Sequence, residues 1–140
     1  MNVKVEYSRT AANTPAFALI AEAWCELVTD GHTLDYQGTC PVDANSELFY
    51  AISSDGDPVG VLAFKLDMQT DAITIQLAYV EPSSRQQNVF TEMFASLKAL
   101  AKMRAVRLIY AEVSEGNVIG RTTMAKLNAV PITVKYEFVV

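Results

Sequence analysis

The sequence predicts a mixed α/β domain, with an antiparallel N-terminal part, a parallel splayed strand pair, and helices on both faces. Three observations carry this prediction. Residues 48–80 hold three β-like runs joined by short turns, which read as an antiparallel meander. A strong amphipathic pattern follows over roughly Gln86 to Met103. A further apolar run, Val106–Val113, comes next. Strand, helix and strand in this order imply a right-handed parallel crossover. The chain has 140 residues, of which 51% are hydrophobic, so residues 1–140 are expected to form a single domain with a sizeable core.

Val3, Val5 and Tyr7 alternate as in a short strand, Val3–Tyr7. Thr14-Pro15 suits a helix start, with Thr14 as N-cap and Pro15 in the first helical position. Phe17, Ile20, Ala21, Trp24, Leu27 and Val28 then form one apolar stripe, and Asp30-Gly31 ends it. Residues 32–47 are polar, contain Gly38 and Pro41, and read as a loop. Leu48–Ser53 and Val59–Leu66 flank Ser54-Asp55-Gly56-Asp57-Pro58, a hairpin signal. After a turn at Asp67–Asp71, Ala72–Val80 is rich in β-branched and aromatic residues.

Pro82-Ser83-Ser84 breaks the strand pattern. In the helix that follows, Val89, Phe90, Met93, Phe94, Leu97, Leu100 and Ala101 share one face. Val106–Val113 is nearly continuously apolar, as expected of a strand buried on both faces. A shorter helix near Val118–Asn128 leads to a last strand, Ile132–Val139, where Ile132, Val134, Tyr136 and Phe138 alternate with the residues between them. Adjacent parallel strands that splay leave a crevice at their carboxyl ends, a common ligand site in α/β sheets. A helix N-terminus aimed into it offers N–H groups to an anion.

The net charge of −5 argues against general nucleic-acid binding, which needs a basic surface. The charge is uneven. Residues 1–84 carry three Lys/Arg against twelve Asp/Glu, whereas residues 85–126 carry seven against three. Such a division suits an anionic ligand on the basic part and a cationic partner on the acidic part. No apolar run approaches the ~20 residues of a membrane span. The N-terminus lacks the apolar stretch of a secretory signal, and Cys25 and Cys40 read as free thiols, so a cytoplasmic location is expected. No zinc spacing, Ser/His/Asp order or Walker-type loop is present, and no metal is expected. His32 reads as a surface residue, and Cys25 as a small core residue.

The segment Val80-Glu81-Pro82-Ser83-Ser84-Arg85-Gln86-Gln87-Asn88-Val89-Phe90 resembles the acyl-CoA pyrophosphate loop of the GNAT N-acetyltransferase superfamily. In that family a strand ending in Val-x-Pro precedes Arg/Gln-x-x-Gly-x-Gly/Ala at the mouth of a long helix. Glu112-Val113-Ser114-Glu115-Gly116-Asn117 is similar to the family's strand ending in Glu-Val with Asn five residues after the Glu. Met124-Ala125-Lys126-Leu127-Asn128-Ala129-Val130 is similar to its Tyr-x-x-x-Gly-Phe segment. The element order fits the family across essentially the whole chain.

The departures are specific. Asn88 and Phe90 stand at the glycine positions of the loop, Met124 at the Tyr that often protonates the leaving thiolate, and Asn128 at the last glycine. Asn88 tolerates unusual backbone angles, whereas Phe90 is bulky and its spacing favours a ring turned into the core.

The resemblance implies transfer of an acetyl group from acetyl-CoA to a primary amine by direct attack. Backbone groups of Ala78, Tyr79 and Val80 would bond the pantetheine. Arg85, as the first motif residue, and Gln86, Gln87, Asn88, Val89, Phe90 and Thr91 would face the pyrophosphate, the latter six through N–H groups. Asn117 would bond the pantetheine arm, and Glu112 would be the general base, with Glu81 second. Glu112 also reads as a solvated strand-end carboxylate, and Asn117 as a turn residue. The expected partner is a small-molecule or peptide amine acceptor, with no nucleic acid or membrane, and a homodimer is compatible. The alternative is a catalytically degenerate domain that serves as a protein-binding module.

Overall fold

The computed structural model describes residues 2–31, 40–134, 136 and 138–140. Its sheet has five strands in the order β1-β2-β3-β4-β5, formed by β1 (Val3–Ser8), β2 (Glu47–Ser53), β3 (Pro58–Asp67), β4 (Ala72–Val80) and β5 (Leu108–Ala111). The first four are antiparallel neighbours, and β4 and β5 are parallel. Helices α1 (Phe17–Thr29), α2 (Val89–Met103) and α3 (Val118–Lys126) complete the order. The β2–β3 turn closes as the sequence suggests. Gly56 takes φ +88°, and Ser53 N–H donates to the Asp57 carbonyl at 2.9 Å.

Two cores lie on opposite faces of the sheet. Val89, Met93, Leu97 and Ala101 of α2 pack with Phe49, Leu62, Phe64 and Ile73. Leu19, Ile20 and Ala23 of α1 pack with Leu48, Val61, Ala63 and Leu77. Gly60 fixes how closely α2 approaches. A Cβ there would lie 3.0 Å from both Met93 Cε and Val89 Cγ1. The first turn of α2 therefore rests on the backbone of β3. Gly60 pairs with Val80, so that turn starts beside the carboxyl end of β4.

Several sequence expectations shift. Thr14 does not cap α1 directly. The chain turns once, with Phe17 N–H donating to the Thr14 carbonyl at 3.1 Å, and α1 begins at Phe17. Its buried stripe is Leu19, Ile20 and Ala23, preceded by buried Ala16, while Phe17 and Val28 are exposed. The apolar content of this helix is wide enough that spacing alone placed the stripe about one residue off. Residues 86–88 precede α2 rather than belonging to it. β5 is four residues long and largely exposed, not a strand over 106–113 buried on both faces. No described residue between 132 and 139 is in a strand. His32 lies outside the described residues.

Candidate active site at the splayed strand pair

The site begins with a bulge. Ala63 pairs with Leu77, but Phe64 pairs with Ile75, so Gln76 is an extra residue in β4. A bulge bends its strand and increases local twist. The pairing of β4 with β5 runs from Ala72↔Leu108 to Ile75↔Ala111 and stops at the residue before the bulge. Beyond it β4 continues to Val80 with its β5-side edge open. Gln76 is anchored by its side chain: Nε2 donates to the Pro41 carbonyl at 2.9 Å, and Ser46 Oγ donates to Oε1 at 2.6 Å. The bulge also switches the faces. Ile73 and Ile75 lie with the α2 core, but Leu77 and Tyr79 lie with the α1 core.

The ladder fixes which backbone groups meet the open edge. Glu81 N–H donates to the Val59 carbonyl at 2.9 Å, so the 59–81 pair is a hydrogen-bonded one. In an antiparallel ladder such pairs alternate with pairs whose N–H and C=O point outward. Tyr79, opposite Val61, therefore faces β3 with its backbone, whereas Ala78 and Val80 turn theirs toward the gap. Of the three residues expected to offer backbone groups, Ala78 and Val80 face the gap in this register and Tyr79 faces β3.

The loop after β4 starts with a single 3₁₀ turn, Pro82–Ser84. Glu81 accepts from Ser83 Oγ at 2.9 Å and from Ser84 Oγ at 3.0 Å. Gln86 (φ 62°) and Asn88 (φ 64°) are both left-handed. Such turns collect successive N–H groups on one side, as in anion-binding nests. Asn suits this region, and Gln occupies it at a small steric cost. The left-handed Asn88 was legible in the sequence and the left-handed Gln86 was not. Asn88 ends the loop as the residue preceding α2, and the first helical bond runs from Glu92 N–H to the Asn88 carbonyl at 3.0 Å. The N–H groups of Val89, Phe90 and Thr91 thus have no intrahelical acceptor. Phe90 is half-buried against the α2 core and stacks on Phe94, with ring centroids 6.0 Å apart.

The Arg85 side chain is engaged within the protein. Its Nε donates to the Val80 carbonyl at 2.7 Å, and its Nη2 contacts both oxygens of Glu26 on α1 at 2.8 and 2.9 Å. The guanidinium also lies 5.3 Å from the centre of the Tyr79 ring. The cation is therefore held on the α1 side of β4. Burial, followed by the bond to Glu26, pushes the Tyr79 hydroxyl above its ordinary pKa. Glu26 and Tyr79 carried no motif in the sequence.

Glu112 follows the last residue of β5 and is exposed. Its neighbour Ala111 pairs with Ile75, so Glu112 stands on the far side of the gap from the bulge. Asn117 caps α3, its Oδ1 accepting from Gly120 N–H at 2.9 Å. That bond commits the oxygen to α3. Met124 is half-buried in α3. Among the described residues, no group of His, Cys, Asp and Glu is arranged to hold a metal ion.

Solved structures share this architecture. An aminoglycoside acetyltransferase from an uncultured soil metagenomic sample has 18% identity and a TM-score of 0.72, over 100% of this chain and 99% of its own. A ribosomal-protein-alanine N-acetyltransferase from Brucella melitensis biovar Abortus 2308 has 17% identity and a TM-score of 0.71, covering both chains fully. AAC(6')-Iy, solved with the bisubstrate analog CoA-S-monomethyl-acetylneamine, has 15% identity and a TM-score of 0.62, again over both chains in full. At these identities the likeness speaks for the fold. No curated protein matches the sequence. The sequence model of the Acetyltransferase (GNAT) family does match, over residues 15–127, and with the bulged β4, the parallel splayed pair and the helix mouth beside it, the chain belongs to that family.

Proposed function

We propose that the protein transfers an acetyl group from acetyl-CoA to a primary amine. The observation that carries this reading is the opening of β4 at Gln76, with the first turn of α2 at the end of the same open edge. The fit to the donor rests on two features. Outward backbone groups of Ala78 and the Val80 N–H suit the amides of a pantetheine arm. Left-handed Gln86 and Asn88, followed by the unpaired N–H groups of Val89, Phe90 and Thr91, suit a pyrophosphate. A half-buried Phe90 ring leaves its own N–H available, so the missing glycine does not close the loop.

Acetyl-CoA would supply the thioester whose C–S bond breaks as the amine nitrogen forms the new C–N bond. Glu112 takes the proton that the amine must lose, directly or through water. With Met124 in place of a tyrosine, the thiolate leaves without an acid from that position. Thiols have pKa values near 8–9, so this slows the step without forbidding it. Aminoglycosides and a ribosomal-protein alanine, the acceptors named for the relatives above, are both amines. The acidic balance of residues 1–84, three Lys/Arg against twelve Asp/Glu, favours a cationic acceptor here.

A thermal-shift titration with acetyl-CoA and CoA tests the reading. Donor at a hundredfold excess over Kd should stabilise the chain by about 2.7 kcal/mol. Glu112→Gln should retain that shift and lower turnover by roughly 10²–10⁴-fold with a verified amine. No shift at millimolar donor would leave the domain as a binding module, and an unchanged rate in Glu112→Gln would remove that residue from the mechanism.

A further inference from the structure

The end of the sheet opposite the β4–β5 gap carries two adjoining clefts. The larger, of about 630 Å³, is lined by Tyr7, Arg9, Ala44, Asn45, Glu47 and Arg104. The smaller, of about 220 Å³, is lined by Ala11, Phe17 and Ile20 from the α1 side and by Val42 and Ala44 from the turn before β2. Ala44 belongs to both, so the clefts share a wall. Glu47 pairs with Phe64, well along β3 from Gly60, which pairs with Val80 at the donor edge.

The shared wall is a fixed turn. Ser46 N–H donates to the Asp43 carbonyl at 3.0 Å, and Asn45 N–H donates to the Asp43 carboxylate at 2.8 Å. Thr10 Oγ1 donates to the Ala44 carbonyl at 2.8 Å, which ties the turn to the segment before α1.

The two clefts differ in chemistry. In the larger, Arg104, Glu47 and Tyr7 satisfy one another. The charges of Arg104 and Glu47 cancel. Arg9 and the Asn45 carboxamide are left over, and neither side chain has a hydrogen bond or ion pair among the described residues. In the smaller cleft Ala11 and Ile20 are buried, while the Phe17 ring is 60% exposed. Asp43 lines this cleft too, but Lys65 neutralises its carboxylate at 2.6 Å. One unmatched cation thus stands beside an apolar hollow. Ligand sites are commonly built this way, from apolar walls with a few placed polar groups.

We propose that the two clefts together bind a small monocarboxylic acid with a branched aliphatic or aromatic tail. The carboxylate lies on Arg9, whose guanidinium fork matches its two oxygens, and on the Asn45 amide. The tail lies against Phe17, Ile20 and Val42 and covers the exposed ring. The site is at the other end of the sheet from the donor edge and does not depend on acetyl transfer.

Isocaproate is the probe, with isocaproamide as its uncharged counterpart, and amide NMR of the full chain is the readout. Titration to about 10 mM should give saturable shifts at Arg9, Ala44, Asn45 and Phe17. The amide should bind at least about tenfold more weakly, because it cannot use the guanidinium as an anion does. Arg9→Ala should bring the acid down to the level of the amide. Phe17→Ala should weaken acid and amide alike. Both side chains are exposed, so both variants should melt as the wild-type chain does; the acid-to-amide ratio needs no variant at all. The absence of saturable shifts at these residues would overturn the proposal, as would shifts concentrated at Val89–Thr91 instead. Equal binding of acid and amide, or undiminished binding of the acid to Arg9→Ala, would overturn it too.

Discussion

The two ends of α2 use an arginine in opposite ways. Arg104, just past the C-terminus of the helix, donates to both oxygens of Glu47 at 2.7 and 2.9 Å and contacts the Tyr7 hydroxyl at 3.3 Å. Tyr7 donates to the same carboxylate. That end of the helix is locked to β1 and β2. At the other end, Arg85 sits four residues before α2, but its guanidinium is turned away to Glu26 and Val80. The mouth of the helix is left with backbone N–H groups and no side-chain cap. One end has its polar groups matched and serves stability. The other keeps donors unmatched, where under the proposed function acetyl-CoA would supply the acceptor.

The comparison breaks most sharply if the open end is lifted off the sheet. Gly60→Val would place branched carbons where even a Cβ lies 3.0 Å from Val89 Cγ1 and Met93 Cε. Met93 can rotate away, but Val89 is stiff at χ1. Overpacking of this kind should cost about 1–3 kcal/mol in urea unfolding. Because Arg104 still holds the far end, the displacement should fall on the mouth, and donor-dependent stabilisation should drop as well. Full donor binding in Gly60→Val would show that the close approach of α2 is not needed.

Arg104→Ala tests the locked end. Hydrogen bonds to charged groups contribute about 1.5–3 kcal/mol when well sheltered. Partial exposure of both partners, 31% and 17%, reduces the expected loss to roughly 1–2 kcal/mol. The Arg104 guanidinium holds the Glu47 carboxyl below its ordinary value of 4.5. A carboxylate lowered in the folded state contributes stability that is complete above its unfolded pKa and disappears as pH falls through the folded one. The wild-type chain should therefore lose this part of its stability only below about pH 4.5, and Arg104→Ala should flatten that stretch of the pH profile. An unchanged acid limb would sink the assignment.

Legibility in the sequence followed the number of residues that carried each signal. α2 was clear because Val89, Met93, Leu97 and Ala101 repeat over four turns and all four are buried. The parallel pair followed from element order alone. The bulge at Gln76 was hidden because a single polar residue in an apolar run looks like ordinary alternation. Its signal lies in partners on Pro41 and Ser46, more than twenty residues away. The side chain of Arg85 was hard to place for a related reason. A motif position fixes where a backbone goes, whereas the direction of a long side chain depends on what faces it, here Glu26 on α1. The run over 132–139 alternates as a strand does, yet none of its described residues is in one, because alternation alone supplies no neighbouring strand to pair with.

Arg85→Ala is the smallest expected change and the one that best separates backbone from side chain at the open end. The Arg85–Glu26 pair is over a third exposed on both sides, so its loss should lower stability by no more than about 1 kcal/mol. The variant also frees the Val80 carbonyl, which the ladder turns toward the gap. If the pyrophosphate is held by the N–H groups after Gln86, acetyl-CoA should stabilise Arg85→Ala nearly as well as the wild-type chain. Its salt dependence should be the same, since no cation has been removed from the phosphate. A tenfold or greater loss of affinity, about 1.4 kcal/mol, together with a shallower salt dependence, would mean that the guanidinium leaves Glu26 for the ligand. The motif position would then describe the bound protein and the Glu26 pair the free one.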